Sequence, residues 1–129
     1  MKLKTSMVVG AVVASSLFGG CRPPATSVAR SSGSVALSAD DHRVFAVDTD
    51  NGVLAIINTG TRAVTTVKVG EQPARVVVDA NDTAFVANKG SRSVSVVRDG
   101  DTTESARIAV GVEPRGMALT RDGKTLRVV

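Results

Sequence analysis

The chain has 129 residues, one cysteine, no tryptophan or tyrosine, three phenylalanines, and 16 basic against 12 acidic residues for a formal net charge of +4. That length holds one small domain, and a single cysteine excludes an internal disulfide, a thiolate zinc cluster and a C-x-x-C-H haem attachment within the chain. The basic residues are scattered (Arg43, Arg62, Lys68, Arg75, Lys89, Arg92, Arg98) and aromatics are scarce, so no nucleic-acid partner is expected.

Lys2 and Lys4 precede an apolar stretch, Ser6 to Phe18, that is too short to span a bilayer as a stable helix. Residues 1–20 therefore read as a signal peptide, and loss of its two lysines brings the net charge down to about +2. The segment that follows, Leu17-Phe18-Gly19-Gly20-Cys21, resembles the lipobox of bacterial lipoproteins. The resemblance implies that Cys21 carries a lipid and becomes the new N-terminus. Phe18 stands where that motif usually has Leu. The alternative is ordinary signal cleavage nearby, with Cys21 left as a free thiol.

Residues 21–33 combine that cysteine with a proline pair, serines and a glycine and lack apolar periodicity, the composition of a flexible linker. From Ser34 onward, short Val, Ala, Ile and Leu runs alternate with Gly, Asp and Asn clusters, which predicts strands and turns rather than helices. Asn51-Gly52, Asp99-Gly100 and Asp122-Gly123 are explicit turn signals. Strands are predicted near 34–38, 43–48, 53–58 and 63–69, again near 74–79, 83–88, 93–98 and 105–110, and a third time near 115–120 and 125–129.

These groups repeat with a period of about 41 residues, a spacing that signals a repeat architecture. Val69-Gly70-Glu71-Gln72-Pro73 recurs as Val110-Gly111-Val112-Glu113-Pro114, and Arg43-Val44-Phe45-Ala46-Val47-Asp48 maps onto Thr83-Ala84-Phe85-Val86-Ala87-Asn88 with one residue lost in the intervening turn. The V-G-x-x-P opening, Phe85-Val86-Ala87-Asn88 and Ser93-Val94-Ser95-Val96-Val97 are similar to the YVTN family of β-propeller repeats. The resemblance covers residues 34–129 and implies an all-β fold of four-stranded antiparallel propeller blades, at about 34–70, 71–111 and 112–129. About two and a half blades are present, an incomplete propeller. The sequence stops within a predicted strand, from which a truncated reading frame is expected; the rival is a short protein that closes a ring by self-association through open blade edges.

Propeller loops between second and third strands, and between blades, emerge on one face. Asp48, Asp50, Arg75, Asn88 and Arg115 are the candidate contacts there, with Glu71, Lys89, Arg92 and Glu113 nearby; solvated turn chemistry is the competing account. Asp48-Thr49-Asp50-Asn51-Gly52 has alternate carboxylates, but the Asn-Gly turn explains them without calcium. His42, the only histidine, falls in a turn at the opposite end and has no second base or ligand to complete a site. Glu71 and Glu113 open blade-connecting loops and could face a common channel. No catalytic, metal or cofactor residue is assigned, and no cofactor is expected.

The sequence thus reads as an exported cell-envelope module, a membrane-anchored lipoprotein on the periplasmic side or outer surface or otherwise secreted, that binds or scaffolds an unknown protein or surface ligand. It would touch the membrane through its lipid alone. The alternative is part of a propeller enzyme, lactonase-like or haem-partnered, whose catalytic blades are missing.

Overall fold

A computed structural model describes residues 30–129; the segment read as signal peptide, Cys21 and the first part of the linker lie outside the described residues. The described residues form eleven strands and no helix. The first blade is β2 (Val35–Leu37), β3 (Arg43–Asp48), β4 (Val53–Asn58) and β5 (Val64–Lys68); the second is β6 (Pro73–Val78), β7 (Ala84–Asn88), β8 (Ser93–Val97) and β9 (Ala106–Ala109). All neighbours in both are antiparallel and in sequence order. The third sheet joins β10 (Met117–Leu119) and β11 (Leu126–Val128) to β1 (Arg30–Ser31).

The repeat is visible in the backbone as well as in the side chains. The first turn of each unit carries a positive φ at Asp41, Asp82 and Gly123, and the second turn at Gly52 and Arg92. The blade-to-blade connection does so at Gln72 and Glu113. Left-handed conformations recur at fixed places because each turn must reverse a twisted strand in very few residues. In the β3–β4 turn the Asp48 carboxylate also accepts hydrogen bonds from Asp50 N, Asn51 N and Asn51 Nδ2.

Side-chain alternation decides which face of each blade meets which neighbour. Phe45, Leu54, Val67 and Val69 of blade 1 pack on Val76, Val78, Ala84, Val86 and Val97 of blade 2. The other face of blade 2 presents Val77, Ala87 and Val94 to Met117 and Leu119 of the third sheet. Blade 2 is therefore covered on both sides, and all five residues of β8 are buried. Blade 1 is covered on one side. Its outer face carries a row running across all four strands, Leu37, Val44, Ile57 and Val64, in direct register. Leu37 and Val64 are 49% and 60% exposed.

The linker reading is corrected at its end, since Arg30 and Ser31, ahead of Ser34, are already paired as a strand. Arg30 and Ser31 pair with Leu119 and Ala118 of β10. Ser32 N donates to Met117 O, Met117 N donates to Ser32 Oγ, and Gly33 exchanges hydrogen bonds with Val76 of β6. The chain then turns down into β2, where Val47 N donates to Ser34 O. Residues 30–34 thus form a strap over the edges of β6 and β10 that face away from β7 and β11. Those edges would otherwise leave main-chain donors and acceptors unpaired.

Candidate functional site

The β3–β4 and β7–β8 turns and the two blade-to-blade connections lie at one end of the blades, which we call the loop face. Its residues are placed by chain geometry: β6 and β10 begin there, β3 and β7 end there. Of the five candidate contacts, Asp50, Arg75 and Arg115 are exposed on this face and Asp48 is half-buried. Donors from Asn51 and the turn backbone hold the Asp48 carboxyl below its ordinary pKa, so that group is spent on its own turn.

Asn88 departs from its assignment. It is fully buried, facing blade 1, and contacts no solvent. Its Nδ2 donates to Ser93 Oγ at 3.1 Å and to Ser95 Oγ at 2.8 Å, while Oδ1 is buried with no hydrogen-bond partner. Ser95 Oγ also accepts from Gly70 N at 3.3 Å and donates to Glu104 Oε2 at 2.7 Å. Glu104 takes a two-pronged bond from Arg107. Burial pushes the Glu104 carboxyl up, but the bonds from Arg107 and Ser95 outweigh it and hold the group below its usual range. Ser91 Oγ completes the chain, lying 2.9 Å from Ser93 Oγ and accepting from Glu71 N. A polar ladder therefore runs through blade 2 from the loop face to its outermost strand. The equivalent positions of blade 1, Val53 and Ala55, are apolar, so its Asp48 is left to cap a turn.

The paired carboxylates do not form a pair. The backbone aligns Glu113 with Gln72, both with positive φ, which places Glu71 level with Val112. Glu71 instead anchors the second turn of blade 2 through its carbonyl, which accepts from Gly90 N. The edges where a central channel would begin carry the strap.

A cationic cluster escaped the sequence reading as a unit. Arg75, Lys89 and Arg115, with Ala74, line an open depression of about 350 Å³ on the loop face. A second depression on this face, about 340 Å³, runs from Asp50 and Asn51 to Lys68 and Glu71 between blades 1 and 2.

The opposite end, the turn face, is held by ion pairs. Arg43 bridges from blade 1 to blade 2, 3.1 Å from Asp82 Oδ2 and also bonded to Asp99. The Arg43 bond holds the Asp99 carboxyl below its ordinary pKa. His42 is exposed, with Nδ1 3.1 Å from Asp40 Oδ2. Among the described residues no three His, Cys, Asp or Glu side chains gather as a metal site.

Comparison with known proteins agrees with this architecture. A family model described as the lipoprotein LpqB β-propeller domain matches residues 20–128. Among solved structures, a chain of Kuenenia stuttgartiensis hydrazine synthase is similar at 31% identity with a TM-score of 0.70. The match covers 74% of this chain and 28% of that one, so this sequence spans under a third of its structural relative. No curated protein matches the sequence.

Proposed function

The chain belongs to the lipoprotein LpqB β-propeller domain family, and on that premise we propose that it is an exported cell-envelope module whose loop face binds a partner. The observation that carries the reading is the contrast in how charged side chains are paired at the two ends. The turn face has a larger depression, about 620 Å³, but its Arg43 is matched by Asp82 and Asp99. At the loop face, exposed Asp50, Arg75, Lys89 and Arg115 surround two depressions. Loops presented by a rigid sheet scaffold are where recognition residues collect. In this reading the repeats are of YVTN type, residues 1–20 direct export, and Cys21 carries the lipid that fixes the module to a membrane.

Site-specific photo-crosslinking in intact cells tests the contact surface. Probes at positions 50 and 75 are expected to give discrete adducts and a probe at Asp122, on the turn face, none. Adducts from both faces alike, or from neither, would sink the reading. Fatty-acid labelling that persists in Cys21→Ala would remove the anchor.

A second reading is favoured by the likeness to hydrazine synthase, whose name denotes an enzyme: the chain is the propeller portion of a larger catalytic assembly. Lactonase-like or haem-partnered chemistry would then need groups supplied from outside these residues. Co-purification of a chromophoric partner, seen by its visible absorbance, would support it over the first reading.

A further inference from the structure

Arg75 lies in the first half of β6, Lys89 follows β7 and Arg115 sits in the connection to β10, so three separate segments bring three cations to one depression. Among the described residues Arg75 and Lys89 take part in no ion pair, and Arg115 has only Glu113, 3.4 Å from its Nη2. Like charges gathered this way repel, and folding gains nothing from them. The cluster is not a by-product of the repeat, because blade 1 has Ser34 and Thr49 where blade 2 has Arg75 and Lys89. It also coincides with a break in the ladder. Pro73 pairs with Asn88 and Arg75 with Ala87, leaving Ala74 as the extra residue of a β-bulge. Bulges re-aim neighbouring side chains and are common beside binding sites.

We propose that this cradle binds the phosphoryl group of a soluble ligand. This deepens, and rests on, the reading of the loop face as the contact surface. Guanidinium forks match phosphate oxygens two at a time, and an ammonium adds a point charge. A phosphate monoester brings nearly two negative charges and three acceptor oxygens, enough for three cations, whereas a carboxylate brings one charge and two oxygens. Among the described residues Ala74 is the only apolar one in the lining, so the pocket offers little to a greasy ligand. The cradle lies at the end opposite Arg30, whose guanidinium reaches Val78 O beside the turn face. The first described residue is thus at the end away from the cradle, which favours a soluble phosphate over headgroups of an anchoring leaflet.

Titration calorimetry of the full-length protein at low ionic strength, with inorganic phosphate as probe, decides the matter. Saturable binding is expected, weakened at least about tenfold by Arg75→Gln and by Lys89→Gln, with Lys124→Gln, exposed on the turn face, leaving it unchanged. Acetate is expected to compete poorly. Absence of saturation, equal competition by acetate, or an equal loss in Lys124→Gln overturns the proposal. Sedimentation with phosphatidylglycerol vesicles that Arg75→Gln abolishes would overturn the soluble source. If phosphate fails while loop-face crosslinking persists, the ligand class falls and the contact surface stands; if both fail, both fall.

Discussion

Gly70 and Gly111 hold the same place in the V-G-x-x-P connection, yet alanine should be costly at one and harmless at the other. A Cβ at Gly70 would lie 2.6 Å from Asn88 Cγ and closer still to Ser91 Oγ, while one at Gly111 meets nothing within 4 Å. Ordinary carbon contacts sit at about 3.5–4.0 Å, so Asn88 would have to retreat by roughly 1 Å. It has nowhere to go, being fully buried and bonded to Ser93 and Ser95. Overpacking costs about 1–3 kcal/mol and each weakened hydrogen bond about 1 kcal/mol, which together put Gly70→Ala near 3 kcal/mol. For a domain of this size that is a fall in Tm of roughly 12–24 °C. Thermal unfolding of the purified protein followed by far-ultraviolet circular dichroism reads it. Gly111→Ala is expected within about 0.5 kcal/mol of the parent. Equal shifts for the two variants would refute close packing as the reason for glycine at position 70.

Arg92 has φ 50° where the first blade has Gly52 at 65°; Arg92→Gly should raise stability by about 1 kcal/mol, seen as a higher denaturant midpoint with an unchanged slope, and a lower midpoint would contradict the strain argument. Ser95→Ala removes the partner of Gly70 N, Asn88 Nδ2 and Glu104 at once, and a loss of about 2 kcal/mol is expected in the same assay. Asp99 has a folded-state pKa below its unfolded value. Its contribution is therefore complete above the unfolded value, near pH 4, and is lost as pH falls through the folded value. Tm measured down to about pH 2 should fall less steeply in Arg43→Gln than in the parent, and parallel curves would show that this pair does not matter.

The blades were legible because strand chemistry is local. The apolar run within Arg43–Asp48 and the Asn51-Gly52 turn each act within a few residues, the 41-residue spacing repeats such signals, and the strands fall where they put them. What the sequence hides is set by neighbours distant in the chain. Asn88 and Asp48 occupy matching places, but blade 1 covers the face that carries Asn88, where the serines of β8 take up its amide, whereas Asp48 lies on the open face of blade 1 and caps a turn. Lys89 joins Arg75 and Arg115 only once two sheets are stacked. The pairing of Arg30 and Ser31 was invisible for a similar reason: Arg-Ser-Ser-Gly has the composition of a linker, and its partners lie on β10, almost at the far end of the sequence.

That strap has a mechanical meaning. The segment leading into the domain is not hinged at its rim but stitched by main-chain hydrogen bonds to strands from both later sheets. A pull on the chain ahead of Arg30 would load β10 and β6 before it reached the first blade. Tension along the tether would thus be shared among all three sheets, and the domain would answer it as one body rather than by peeling away strand by strand.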